Sequence, residues 1–435
     1  MTPRNLFALF LVCGASLICF NEARLQGGRY AKMFGTYAEV MDQIDRKYLE
    51  PTDDRRMFEA ALNGIVGSLG DEYSAYIPPR EADALRSELE QKFGGVGVSV
   101  LKDEQTGRLT ITSPLYNTPA YNAGIMPGDV ILEINGEDTA QLSMEDATDR
   151  MRGPIGEMVR LKIERAGEPS PLEMTLVRAE IAVESVVGDG HEADDQWSFF
   201  LEREDRIGYV RIRSFGEKTI DELQTALEWL NEHNARAVIL DLRDNAGGLL
   251  HSATETCDMF LDSGVIVSTR GRGGVEVERF TATSGTLWDA KRPVVILINE
   301  YSASAAEIFA ACLQDHGAAI VVGEQSWGKG SVQEVLPLEG GRSVLKLTTA
   351  SFWRPSGKNI HRRGPRDQNT GDWGVRPDEG NEVKLTEDEF KEMVRRRRER
   401  DVIRRSSPMA PPPAQDSDPQ LRKALEVALS KLTAA

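Results

Sequence analysis

RPVVILINEYSASAAEIFAACLQDHGAAIVVGE (Arg292–Glu324) joins an apolar run, a turn of small polar residues, an alanine-rich run and a second apolar run. Short apolar runs bounded by turn signals read as strands, and the longer run between them as a helix. The same alternation precedes it: IGYVRIRSF, TIDELQTALEWLNEHN, ARAVILDLRD and GLLHSATETCDMFL. This is the pattern of an α/β core whose active groups sit on loops at strand ends.

Working outward, residues 93–179 change period. GGVGVSV, RLTITSP, GDVILEING and EMVRLKIER read as short strands with glycine-rich turns and one short helix, SMEDATDRM, a small β-rich domain with its own core. Residues 30–92 read as helices broken at GDEYSAYIPPRE. Beyond the α/β core of residues 180–380, the 381–435 tail carries a basic run, VRRRRERDVIRR, a proline-rich linker and a last amphipathic segment, QLRKALEVALSKL. The basic run is expected to be a solvated helix face, with anionic lipid or an acidic partner as the weaker alternative. A chain of 435 residues accommodates two or three domains.

With 69 acidic against 52 basic residues and a formal charge of -17, the chain lacks the basic field that nucleic-acid binding needs. Residues 1–23 include an uncharged stretch, Leu6–Phe20, which reads as an export signal or membrane anchor. No good cleavage site follows it, so an uncleaved anchor is expected, with the rest exported. Cys257 and Cys312 sit among small and apolar residues and are expected to be buried free thiols. No metal-ligand cluster accompanies them.

Ser302 and Ser304 both precede the helical run, where a serine often only caps the helix. An attacking hydroxyl needs a base within reach and N–H donors for the oxyanion, and a helix start offers such donors. None of the five histidines has a context that compels a triad; His251, after a glycine-rich turn, is the least easily dismissed. Lys329, between Gly328 and Gly330 in GEQSWGKGSVQEVLPL, is the better candidate, because burial lowers a lysine pKa towards neutrality. In VILDLRDNAGGLL, the paired Gly247 and Gly248 permit a tight turn with exposed N–H groups, and Asp241 is a candidate acid.

The motifs YSASAAEI, GKGSVQ, DLRDNAGG and LKLTTASFWRPSG, in this order and spacing, resemble the carboxyl-terminal processing, tail-specific proteases of peptidase family S41 from about Tyr30 to Asp378. The resemblance implies a crotonase/ClpP-like α/β protease core with an inserted β-rich PDZ domain and an N-terminal helical segment. It implies Ser304 as nucleophile, Lys329 as general base, Gln333 as the residue supporting that lysine, and oxyanion donors from the Gly247-Gly248 turn and Ala305. FGGVGVSV and SPLYNTPAYNAGIMPGDVILEING resemble a PDZ domain, with Gly95, Val96, Gly97 and Val98 receiving a substrate's terminal carboxylate. The implied activity is a PDZ-gated serine endopeptidase without cofactor or metal. Its implied substrates are proteins with accessible apolar C-termini; the amphipathic segments at both ends of the chain favour a homodimer, and a regulatory or adaptor protein is a further expected partner.

Two departures stand out: Ala246 occupies a position where the family commonly has proline, and KNIHRRGPRDQNTGDWGVRPDE is longer and more polar than usual. The second is expected to alter cleft access or substrate choice. The competing readings are an inactive PDZ adaptor that kept the protease shape and a serine esterase or amidase on the same core. The leader favours a bacterial cell-envelope protein, exported to the periplasmic side and anchored to the inner membrane.

Overall fold

The computed structural model describes residues 30, 32–103, 106–192, 194–202, 206–362, 373–403 and 418–434. Packing divides the chain into one unit up to Tyr76 and a second from Ile77 onward. The first contains helix α1, Asp54–Gly67, which starts where the Asp53 side chain accepts from the Arg56 N–H. Such a cap satisfies one of the donors a helix start leaves open.

In the second unit, α2 (Pro79–Glu90) leads into β1 (Lys92–Gly95). An antiparallel sheet follows, in the order β2 (Val98–Lys102), β3 (Leu109–Pro114), β4 (Val130–Ile134), β5 (Met158–Glu164) and β6 (Leu172–Val177). Helix α3, Met144–Met151, begins at a Ser143 cap. Leu109, Ile111, Ile131, Ile134, Val159, Leu161 and Ile163 fill the core of this module. On β3 and β5 their spacing of two is what a sheet with one covered face requires, and on β4 the register shift between Ile131 and Glu133 widens it to three. β1 pairs with β7, Ala179–Ala182, so the strands entering and leaving the module lie side by side.

The main sheet runs β8 (Val186–Val187), β10 (Ile207–Ile212), β11 (Ala237–Asp241), β14 (Val294–Ile298) and β15 (Ile320–Gly323), with β9 (Phe200–Glu202) also on β10. From β10 to β15 the strands are parallel. Every residue of β10, β11 and β14 is buried, and β14 is accordingly an unbroken apolar run, VVILI, whereas β10 buries Arg211 and β11 ends in Asp241, each in an ion pair. One face packs on α4 (Thr219–Glu232), α5 (Leu250–Asp258) and α6 (Ala305–Asp315) through Val238, Leu240, Ile296, Leu227, Cys257 and Phe309. On the other, Ile207, Ile239, Val295 and Leu297 meet Leu421, Ala424 and Ala428 of α8, Pro419–Ala434. A second sheet is antiparallel, in the order β16 (Ser331–Leu338), β17 (Ser343–Trp353), β12 (Val265–Arg270) and β13 (Glu276–Thr281). Cys257 and Cys312 are buried free thiols, as expected.

The basic run forms most of α7, Glu387–Asp401, whose start is a Thr386/Glu389 capping box. It is not a solvated face throughout. Arg397 pairs with Asp241 and Asp244 at 2.8 Å each, and Arg400 pairs with Asp189. Asp401 takes Arg211 at 2.5 Å and Arg213 at 2.8 Å. Burial pushes the Asp189 carboxyl up to about 6, against the opposing pull of Arg400.

One expectation is corrected. Among the described residues no helix is long and apolar enough to cross a membrane, which overturns the expected anchoring to the inner membrane. The Leu6–Phe20 run lies outside the described residues.

Candidate active site

The turn between β14 and α6 holds both serines, and it separates them. Ser302 is fully buried; its hydroxyl donates to the Leu242 carbonyl at 2.8 Å and accepts from the Asn299 N–H at 3.0 Å. It pins the turn to the end of β11. Ser304 stands at the helix start with φ +55° and ψ -115°. That left-handed φ costs of order 1–3 kcal/mol for a residue other than glycine and persists only where the surroundings enforce it. Here they do: the Ser304 N–H donates to Glu307 Oε2 at 2.9 Å, and the Ser304 carbonyl accepts from Ile308 N at 3.0 Å.

Against this turn lies the segment after β11. Asn245 is buried and ties three pieces together. Its amide nitrogen donates to the Ile212 carbonyl at 2.8 Å, its side-chain oxygen accepts from the Gly247 N–H at 2.8 Å, and its carbonyl accepts from Ala303 N at 2.9 Å. A Cβ on Gly247 would stand 2.7 Å from Ser304 Cβ and 2.9 Å from Ala305 N, so only glycine lets the two turns touch. Gly248, at φ +144°, crosses Phe215 so closely that a Cβ would lie 2.1 Å from the Phe215 carbonyl oxygen. The two glycines therefore differ: Gly247 has its N–H committed to Asn245, while the N–H groups of Gly248 and Ala305 make no hydrogen bond among the described residues.

The third piece is the loop after β15. Glu307 is fully buried and receives two donors on each carboxylate oxygen. Oε2 accepts from Ser304 N at 2.9 Å and Lys329 N at 2.8 Å; Oε1 accepts from the Ser326 hydroxyl at 2.5 Å and Gly328 N at 2.6 Å. Burial raises its carboxyl above the ordinary value, and the four donors offset only part of that rise. Lys329 is half-buried, and burial, aided by the Lys346 ammonium, holds its pKa below the ordinary lysine value; the Glu307 carboxylate opposes this. Gln333, on β16, donates its amide to the Ser331 hydroxyl at 2.8 Å and the Thr348 hydroxyl at 3.2 Å.

The sequence profile of peptidase family S41 matches residues 206–379, and a PDZ domain profile matches residues 110–165. A carboxy-terminal-processing protease of Bartonella bacilliformis is 34% identical, covering 99% of this chain and 95% of its own. The carboxy-terminal processing protease CtpA of Bacillus subtilis is 31% identical over 83% of this chain and 72% of its own. The chain belongs to peptidase family S41. It is thus a serine-type proteolytic enzyme of the carboxyl-terminal processing kind, a mixed α/β core with a PDZ-like insert. Among solved structures, a photosystem II D1 C-terminal processing protease is 25% identical, with a TM-score of 0.44 over 80% of this chain and 86% of that one.

In the PDZ-like insert of this S41 peptidase, Gly95 ends β1 and Val98 begins β2. Between them Gly97 has φ +79°, and a Cβ there would lie 2.3 Å from Thr118. The Val96 carbonyl accepts from Ala120 N at 2.9 Å, and the Gly97 carbonyl accepts from Leu115 N at 3.0 Å and the Thr118 hydroxyl at 3.1 Å. The N–H groups of Val96 and Gly97 make no hydrogen bond among the described residues. β2 is an edge strand of its sheet.

Asp241 is not a proton donor. Burial pushes its carboxyl up, but Arg243 and Arg397 beside it, with a 2.7 Å hydrogen bond from Tyr209, outweigh burial and hold it well below the usual carboxylate range. His251 is exposed on α5 and faces Glu255 at 3.7 Å. Glu307 and Asn245 are the residues whose roles sequence reasoning missed. The Ser-x-x-Glu spacing of Ser304 and Glu307 is a capping-box signature and was the available signal for the first. Nothing local signals the second.

Proposed function

We propose that this chain is a PDZ-gated serine endopeptidase that uses a Ser304/Lys329 dyad to cleave proteins recognised by their C-terminal tails. The observation that carries this is the Glu307 carboxylate, one oxygen of which holds the N–H groups of both Ser304 and Lys329. A nucleophile and a base whose backbones share one buried acceptor form a rigid pair, which is what positioned proton transfer needs.

Neutral Lys329 takes the Ser304 proton as Oγ attacks the peptide carbonyl carbon. The oxygen of the tetrahedral intermediate is met by the N–H groups of Gly248 and Ala305, with Gly247 as the wall that lets the turns approach. Each such donor is worth about 10²–10³ in kcat. Collapse breaks the C–N bond, and the Lys329 ammonium gives its proton to the leaving amine. Water repeats the cycle on the acyl-enzyme and restores the hydroxyl. The Gln333 amide nitrogen is engaged by Ser331 and Thr348, so its oxygen is the end that accepts from the lysine.

The PDZ-like insert receives the substrate's terminal carboxylate at the N–H groups of Gly95 to Val98, while the peptide pairs along the edge of β2. Among the described residues, Tyr121 to Asp195 at 2.5 Å and Ile403 N to Ser113 at 3.3 Å join this module to the core, contacts that a gate could break. We read the chain as residues 30–92 helical, 93–179 PDZ and 180–380 protease, with a core of the crotonase/ClpP-like kind; its parallel sheet with helices on both faces supports that reading. The substrates are proteins with accessible apolar C-termini. A homodimer mate and an adaptor are the further partners.

The test is mass spectrometry of a protein substrate with an apolar tail, incubated with the purified protein, Ser304→Ala and Lys329→Ala. Cleavage by the unmodified chain alone is expected. Equal cleavage by either variant removes the dyad.

A further inference from the structure

The loop that carries Lys329 is framed on both sides. Ser326 N donates to the Val375 carbonyl at 3.0 Å, Val375 N donates to the Ser326 hydroxyl at 2.7 Å, and Arg362 N donates to the Gly328 carbonyl at 2.9 Å. A Cβ on Gly330 would stand 2.4 Å from His361 N, and one on Gly328 would meet Trp373 at 2.8 Å and Arg362 at 3.0 Å. Residues 360–362 and 373–375 therefore lie directly against the Gly328–Gly330 stretch. On the other side, Trp327 N donates to the Ser302 carbonyl at 2.9 Å, which ties this loop to the turn bearing Ser304.

Out of this frame stands one exposed cation. The Arg362 guanidinium lies over two indoles, 5.6 Å from the Trp327 ring centre and 5.1 Å from that of Trp373. Trp327 is itself 41% exposed. In a chain of net charge -17, Arg362 faces no carboxylate within ion-pair distance among the described residues. Trp373 adds a second sign of an absent acceptor: its indole N–H is buried and has no hydrogen-bond partner among the described residues. Stacking on aromatic faces fixes the plane of a guanidinium and leaves its N–H fork free for a carboxylate. An arginine held this way is prepared for a ligand rather than for its own fold.

We propose that Arg362, held between Trp327 and Trp373 beside the Lys329 loop, is a specificity-determining residue that binds a carboxylate of the peptide substrate close to the bond being cut. The proposal rests on the reading of Ser304 and Lys329 as the cleavage site. It gives that site a substrate class: peptides with an acidic group near the scissile bond. An acidic side chain and the peptide's own terminus offer the same chemistry.

The probe is an internally quenched peptide with an apolar tail, made with Glu or Gln at each position around the cut, and with a free or amidated C-terminus. The unmodified protein is expected to favour the best-placed Glu peptide over its Gln twin by about fivefold in kcat/KM, the upper range for a partly exposed charge pair. In Arg362→Gln that ratio falls to about one, and Arg362→Glu inverts it in favour of a Lys-bearing peptide. If amidation replaces Glu→Gln as the Arg362-dependent change, the carboxylate read is the chain terminus. A parallel measurement uses fluorescence anisotropy of the same peptides with Ser304→Ala. Arg362-dependent preference in binding without any cleavage by the unmodified protein would remove the peptidase mechanism and keep the carboxylate site. Cleavage and binding that are indifferent to charge, or a preference unchanged in Arg362→Gln, overturn the proposal and leave the peptidase standing.

Discussion

Replacing Glu307 with glutamine keeps the shape of the side chain and removes its charge. Its two oxygens serve different pairs of donors: Ser304 N and Lys329 N on one, the Ser326 hydroxyl and Gly328 N on the other. An amide has only one oxygen, so one pair must lose its acceptor. The cheaper choice turns the NH₂ towards Ser326, whose hydroxyl is able to accept, and orphans the Gly328 N–H. An orphaned buried donor costs about 1–3 kcal/mol, and each surviving bond weakens from charge-assisted to neutral. Relief of the buried charge offsets part of this, leaving a net loss of about 2–4 kcal/mol. The freed Gly328 sits beside Lys329, so the base loses its fixed position, and a displacement of an ångström costs about 10² in rate. The assays are urea denaturation for stability, kcat on a tailed protein substrate, and anisotropy of a tail peptide for binding, which is expected to be unchanged. Native stability and native turnover in Glu307→Gln would refute the idea that the charged carboxylate, with all four of its donors, keeps the Lys329 loop in place.

Lys346→Gln removes a cation that depresses the Lys329 pKa, so the lysine's affinity for its proton rises. With the neutral amine as the proposed base, kcat/KM climbs as pH rises through the lysine pKa, which lies below the ordinary lysine value in the native enzyme; the variant's limb is expected at higher pH, and an unmoved pH profile counts against the assignment. Gly248→Ala forces a side chain into the Phe215 carbonyl at a left-handed φ, and is expected to abolish cleavage and cost about 2 kcal/mol or more in stability. Gly97→Ala collides with Thr118 and should weaken tail-peptide binding, measured by anisotropy, while leaving the thermal transition of the core in place. Arg397→Gln leaves Asp241 with Arg243 but strips Asp244 of its cation, for an expected loss of about 1–3 kcal/mol in urea denaturation.

Strand β14 was readable because burial on both faces demands an unbroken apolar run, and VVILI has no other use; β10 and β11 were readable from their mostly apolar stretches, with no hint that Arg211 and Asp241 would be buried in ion pairs. The two serines were readable as candidates, but not as different ones: only the contact with Leu242 shows that Ser302 is spent on the turn. Likewise Gly247 and Gly248 are the same letter twice, and the Asn245 side chain makes them unlike. The basic run shows the limit most plainly. Its arginines look solvated because a charge pattern in one segment says nothing about Asp189, Asp241 and Asp244, which precede it by many residues and come near only through the fold. Ion pairs of this kind leave no local trace, whereas helix caps do; Glu307 lay within reach of the Ser-x-x-Glu spacing.

Helix α8 covers one face of the main sheet, yet it follows every strand of that sheet in the sequence. A chain emerging from the ribosome in order makes β10, β11, β14 and β15 before their last cover exists, and contacts so distant in sequence form late. Arg243, next to the glycine turn, waits on the same event, since its partner Asp418 stands at the threshold of α8. Synthesis itself thus acts as a timer: a nascent protease is left with an unsealed sheet and an unbraced turn until translation has passed the helix that completes them.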